Sequence, residues 1–271
     1  MCRHFAYLGP PVRLADLVIA PPHGLLQQSW APRRQRNGLL NADGFGVGWY
    51  PHPGAEPLRY RRCVPIWTDA DFPTTARGIT ADAVLGAVRS ATGGNPVAEA
   101  ATAPFAHGTR LFSHNGALPG WPESAAELAA DLPWSALARQ QVLLDSTLLW
   151  ALYLHLLDTG LDEVSAFAEV TRRARRIPGA RVNLLLHDGN RILATAAGDS
   201  LCYLQGGHPD PAGALQPGVI VASEPFDDSD AWVDVPEDHL LVATRTHVTV
   251  RHLADVTPEA AARDELLLEA P

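Results

Sequence analysis

The sequence predicts an α+β protein organised as a four-layer α/β/β/α sandwich, two sheets packed face to face with helices on their outer faces. Three observations predict it. Short apolar or alternating runs bounded by Gly and Pro dominate up to residue 116, helical spacing takes over between 123 and 176, and short strands return from 182 to 253. Hydrophobic residues make up 46% and charged residues 19% of 271, enough for a substantial core. A single domain is expected over residues 2–254, with 255–271 as a tail.

Residues 3–8 (RHFAYL) read as a first strand stopped by a turn at Gly9-Pro10-Pro11. Residues 14–19 suit a brief helix before Pro21-Pro22, and 25–36 a polar connection with an apolar start. Asn41-Ala42-Asp43-Gly44 turns into a glycine-spaced strand at 45–50, where alternating small residues admit another backbone or a ligand. Residues 58–63 (LRYRRC) alternate as its partner. A strand at 84–89 (VLGAVR) ends in Arg89 and opens a glycine-rich loop, and 111–113 lead to His114-Asn115-Gly116, read as a strand ending in a turn. Helices follow at 123–132, 135–157 and 161–176. Asp145 falls within the apolar pattern of the second, where an unpaired carboxylate is costly, so it either caps a helix or serves a ligand. Strands are then expected at 182–187, 191–196, 200–204, 219–223, 239–243 and 247–253. Between them, 206–218 reads as a mobile Gly/Pro-rich loop. The tail after Asp255 reads as a terminal helix or a frayed segment.

The formal charge of −9 leaves no broad basic surface, which argues against nucleic acid or an acidic membrane as partner. Arg33, Arg34 and Arg36, and Arg172, Arg173, Arg175 and Arg176, read as solvated faces or local ion pairs. Three cysteines, Cys2, Cys63 and Cys202, match neither a CxxC pair nor a disulfide framework, which suits a reducing cytoplasm. No signal peptide or membrane-length apolar run is evident. Eleven histidines lack metal-ligand spacing; His247 and His252 are five apart. Neither metal nor cofactor is expected.

The chemistry-bearing residues begin at Met1-Cys2-Arg3-His4. Removal of Met1 would place a thiol and a free α-amine on one carbon. With a thiol pKa near ~8.5 and an α-amine near about 7.7 to 8.0, the amine can take the thiol proton and return it to a leaving group. The plainer alternative is a small apolar residue beginning a strand. Arg89, closing a strand, could clamp a carboxylate with its planar fork or lie on the surface. Asn115 and Gly116 could aim a side-chain amide and a backbone N–H at an oxyanion, although Asn-Gly is also a common hairpin turn.

Taken together, MCRHFAYLG (1–9), NADGFGVGW (41–49), VRSATGG (88–94), APFAHGTRLFSHNGAL (103–118), DSTLL (145–149) and ASEPFDD (222–228) make the chain resemble class II glutamine amidotransferases, of the N-terminal nucleophile hydrolase superfamily, over nearly its whole length. The opening motif, 27–49, AVRSATGG and FSHNG make it most similar to the γ-glutamyl amidohydrolases of ergothioneine biosynthesis, which release glutamate from γ-glutamyl-hercynylcysteine sulfoxide. The resemblance implies Cys2 as nucleophile with its own amine as base, Asn115 and Gly116 as oxyanion donors, Arg89 on the glutamyl α-carboxylate and Asp145 on the α-ammonium. It also implies a small-molecule γ-glutamyl substrate and no cofactor. Where such enzymes usually carry an arginine-glycine-tyrosine-aspartate loop, this chain has 41–44. Asp43, Trp30 and the 224–228 loop are candidates to line the pocket. Rival expectations are a glutaminase subunit supplying ammonia to a separate synthase and an inactive binding domain of the same fold.

Overall fold

The computed structural model describes residues 2–92, 95–209 and 215–257. Two antiparallel sheets form the centre. The first holds β1 (Arg3–Arg13), β2 (Phe45–Trp49), β3 (Leu58–Arg62), β4 (Thr80–Val88), β9 (Cys202–Pro209), β10 (Leu215–Ala222) and β11 (Val233–Asp234), in the order β11-β9-β10-β1-β4-β2-β3. The second holds β5 (Phe105–His107), β6 (Arg110–Ala117), β7 (Arg181–His187), β8 (Ile192–Ala196), β12 (His239–Ala243) and β13 (Val248–His252), in the order β13-β12-β8-β7-β6-β5. Helices α1 (Leu14–Val18), α2 (Leu25–Gln28) and α3 (Phe72–Gly78) cover the first sheet. The second is covered by α4 (Ala126–Ala130), α5 (Trp134–Ala138), α6 (Asp145–Asp158) and α7 (Glu163–Arg175). The expected four layers are therefore observed.

Strand alternation creates the layers. Along β1, Phe5 and Tyr7 enter the core beneath α1, α2 and α3, whereas Ala6 and Leu8 enter the core between the sheets with Leu85, Leu111 and Leu185. In β2, Phe45 and Val47 face the helices. A Cβ on Gly46 would overlap the carbonyl oxygen of Ala103, and one on Gly48 would press on Leu111. The glycine spacing therefore admits the Ala103 backbone at one position and the Leu111 side chain at the other. On the far side, α6 is buried on most faces, sandwiched between β6 and α7, and its Trp150 stacks on Phe112 with centroids 4.9 Å apart.

Several expected boundaries move. The first strand does not stop at Gly9: β1 continues to Arg13, with its ladder to β4 broken between Leu8 and Val12. Two prolines cannot donate to a ladder, so they sit at this irregularity rather than in a turn. The expected helix at 135–157 is two helices. Leu144 is extended, and the Thr147 hydroxyl, accepting the Leu144 N–H at 2.9 Å, closes the start of α6. The helix at 123–132 is a 3₁₀ turn followed by α4. Asn115-Gly116 makes no turn; it lies inside β6, paired with Asn183 and Val182 of β7. Part of the expected loop at 206–218 continues the β9–β10 pair, with 210–214 outside the described residues. α2, within the expected connection at 25–36, and α3, β5 and β11 were not expected.

Candidate active site

The site forms where the first turn of β1 meets the end of β6. β1 is central, flanked by β4 and β10, so its start is held on both sides: Ser223 N–H donates to His4 O at 3.0 Å, and the Ser223 hydroxyl accepts the His4 N–H at 3.0 Å. By alternation Cys2 shares a face with His4 and Ala6, toward the second sheet. Two cross-sheet bonds fix this facing in step: Cys2 N–H donates to Asn115 Oδ1 at 3.1 Å, and His4 Nδ1 lies 3.1 Å from the Ser113 hydroxyl. Burial depresses the His4 imidazole to about 3, aided by the charge of Arg3. It is therefore a neutral structural group.

Asn115 is fully buried, and its Nδ2 has no hydrogen-bond partner among the described residues. Such an orphan donor is costly in a resting fold and is available to a ligand oxygen. Gly116 follows it because a Cβ there would overlap the Arg181 carbonyl oxygen of β7. The glycine is required by close strand approach, not by a turn.

Arg89 lies just beyond β4, buried, and lines a small cavity of about 20 Å³ with Cys2, Thr102, Phe105, His114 and Ser146. The 41–44 turn holds it: Arg89 N–H donates to Gly44 O at 2.7 Å and its carbonyl accepts Asp43 N–H at 2.9 Å. Asp43 Oδ2 accepts Ala91 N–H at 2.7 Å, and Arg89 Nη1 donates to Pro96 O at 2.9 Å. Residues 93 and 94 of this loop, like Met1, lie outside the described residues.

Asp145 opens α6 and is buried, with Oδ1 accepting Ser146 N–H at 2.7 Å and Oδ2 accepting Leu118 N–H at 3.4 Å. It ties the start of α6 to the segment just past Asn115-Gly116. The cavity thus brings Cys2 and Arg89 together, while Asn115, Gly116 and Asp145 stand on the β6 and α6 elements beside it. Asp43, Trp30 and Glu224 do not line it. Instead, Glu224 is buried and accepts Arg33 N–H at 3.0 Å and Arg34 N–H at 2.6 Å. Asp228 pairs with Arg33 at 2.7 Å, and Trp30 meets Trp67 edge to face. These residues fasten the segment around 29–43 to the rim of the first sheet.

Three groups were not singled out in the sequence. His114 and Ser146 line the cavity, and Arg3 is fully buried beneath the 29–43 segment. Arg3 Nε donates to Gln35 Oε1 at 3.2 Å, and its two terminal nitrogens have no hydrogen-bond partner among the described residues. Burial lowers the Arg3 pKa, opposed by Glu224, Asp199 and Cys2. Asp199, likewise buried, is raised by desolvation against the pull of Arg3 and Arg181; its Oδ2 lies 3.3 Å from Arg181 Nε. Among the described residues no cluster of His, Cys, Asp and Glu could hold a metal ion, and no helix is long and apolar enough to cross a membrane.

This arrangement, with Cys2 at the head of a central strand in two facing antiparallel sheets between helical layers, has the fold of class II glutamine amidotransferase domains. A solved class II glutamine aminotransferase domain protein from Silicibacter pomeroyi superposes with a TM-score of 0.64, covering 93% of this chain and 99% of its own at 20% identity, a likeness of fold. No family model matches the chain. Two curated relatives do: the gamma-glutamyl-hercynylcysteine sulfoxide hydrolase of Mycolicibacterium smegmatis is 43% identical over 254 residues, spanning 93% of this chain and all of that protein. The hydrolase of the same name from Mycobacterium tuberculosis is 39% identical over 258 residues, spanning 93% and 97%. The chain belongs to the gamma-glutamyl-hercynylcysteine sulfoxide hydrolase family.

Proposed function

We propose that this chain hydrolyses the γ-glutamyl amide of γ-glutamyl-hercynylcysteine sulfoxide, releasing glutamate in ergothioneine biosynthesis, with an N-terminal cysteine nucleophile. One observation carries the mechanism. A single side chain, Asn115, accepts the Cys2 N–H through its oxygen and offers through its nitrogen a buried N–H with no partner among the described residues.

After Met1 is removed, the Cys2 α-amine takes the thiol proton as sulfur bonds to the γ-carbonyl carbon. Negative charge moves to the carbonyl oxygen, facing the Asn115 amide and the Gly116 N–H, as preorganised donors require. Collapse breaks the C–N bond, and the α-ammonium protonates the departing amine. Water, deprotonated by the same amine, then cleaves the glutamyl thioester and restores the thiol. Arg89 neutralises the glutamyl α-carboxylate and Asp145 the α-ammonium, so the zwitterionic end meets one cation and one anion. Both curated relatives are named as hydrolases, which favours this reading over a glutaminase serving a synthase or an inactive binding domain.

The test is glutamate release from a panel of γ-glutamyl compounds that includes the sulfoxide and glutamine, with intact mass recorded for the protein used. Preferred turnover of the sulfoxide by protein lacking Met1 is expected. Preference for glutamine, or full activity in protein retaining Met1, would overturn the proposal.

A further inference from the structure

Asp145 is the group expected to meet the substrate ammonium, yet it is not among the residues that line the Cys2 cavity, and backbone N–H groups of Ser146 and Leu118 already engage both its oxygens. An ammonium carries three donors and needs more than one acceptor. Ser146, the next residue, does line the cavity and is half-buried. Its hydroxyl has two neighbours able to take its proton: His114 Nδ1 at 3.0 Å and Asp145 Oδ1 at 3.3 Å.

The other side of His114 bears on this choice. His114 Nε2 lies 3.0 Å from the Arg181 carbonyl oxygen, which can only accept, so Nε2 carries the hydrogen. In the neutral ring Nδ1 is then bare and takes the Ser146 proton. Both lone pairs of the Ser146 oxygen are left for the cavity. The same Arg181 carbonyl is the atom that excludes a side chain at Gly116, so one backbone oxygen orients His114 and enforces the glycine beside Asn115.

We infer that Ser146 is a second acceptor for the α-ammonium of the glutamyl group, and that His114 is a positioning residue that keeps the hydroxyl turned as an acceptor. This rests on the γ-glutamyl reading above and adds a determinant of its selectivity: the site distinguishes an α-amino acid from its des-amino counterpart by a hydroxyl whose proton is already committed.

Calorimetric binding of L-glutamate and of glutarate, which lacks the amine, tests it on protein freed of Met1. In Ser146→Ala the glutamate Kd is expected to rise about tenfold, the scale of a hydrogen bond to a charged group, while the glutarate Kd, however weak, does not move. His114→Gln keeps a donor for the Arg181 carbonyl but loses the acceptor at the Nδ1 position. It should weaken glutamate binding by less than Ser146→Ala does, because Asp145 Oδ1 can still take the hydroxyl proton, and the double variant should bind glutamate no worse than Ser146→Ala alone. If His114→Gln does not fold, Ser146→Ala with the two ligands decides. A glutamate Kd within twofold of wild type in Ser146→Ala, or an equal loss for both ligands, overturns the inference. Because binding needs no turnover, that result is separable from a failure of the hydrolase reading, which would appear as no glutamate release by wild-type protein.

Discussion

Replacing Asn115 by alanine should separate catalysis from stability. The variant loses the bond from Cys2 N–H to Oδ1, 3.1 Å long and worth about 1 kcal/mol. It also removes Nδ2, a buried donor with no hydrogen-bond partner among the described residues, whose desolvation burdens the resting fold by about 1 to 3 kcal/mol. The two effects oppose each other, so net stability should stay within about 1 kcal/mol of wild type, a shift in Tm of about 3 °C or less at this size. Turnover has no such compensation. Losing one oxyanion donor typically costs about 10²- to 10³-fold in rate, roughly 2.7 to 4 kcal/mol in the barrier. Because the donor acts on charge that develops in the transition state, kcat and kcat/KM should fall together with KM little changed. Glutamate release under saturating and limiting substrate, beside a thermal melt, measures both. A kcat within fivefold of wild type, or a melting loss large enough to explain missing activity, would refute the reasoning.

Cys2→Ala should abolish glutamate release while leaving the melt near wild type, since the side chain is only half-buried and only its backbone N–H makes the cross-sheet bond. Gly116→Ala should destabilise by about 3 kcal/mol or fail to fold, because the added methyl overlaps the Arg181 carbonyl oxygen; a denaturant midpoint near wild type would contradict that. Glu224→Ala strips the Arg33 and Arg34 amides of their acceptor and should cost about 2 kcal/mol or more by chemical denaturation, with faster proteolysis in the 29–43 segment. Stability should also fall in acid. His4, held to about 3 by burial, stays neutral in the folded chain while the unfolded chain binds a proton below the ordinary histidine value, so its contribution is complete above roughly pH 6.5 and declines toward pH 3. The slope is about 1.4 kcal/mol per pH unit, roughly 2 kcal/mol by pH 5. His187, also lowered by burial, adds in the same direction, and a flat stability profile from pH 7.5 to 5 would count against both.

Period-2 and helical spacing made the four layers legible, because each strand's alternation assigns one face to a helix layer and the other to the facing sheet. Local signals failed where distant backbone decides. Asn115-Gly116 carries the chemistry of a hairpin turn, yet the Arg181 carbonyl, reached only when β7 pairs with β6, dictates the glycine. Pro10-Pro11 reads as a stop, but a break in the ladder absorbs it. At Asp145 the capping alternative is displaced by one residue: Leu144 is the N-cap, and Asp145, the first residue of α6, accepts the Ser146 and Leu118 N–H groups. The pairing of His114 with Ser146 joins positions 32 apart on different elements, and nothing in the spacing of either residue announces it.

The neighbours of β1 have a consequence for biosynthesis. Phe5 pairs with Gly86 on one side and with Ala222 on the other. At about 5 to 20 residues per second, the ribosome delivers the second partner at least about 10 s after the first residues are made. β1 is therefore paired on both sides only after residue 222 has been made. If Met1 is removed during that interval, the Cys2 amine is free before its strand is fixed on both sides.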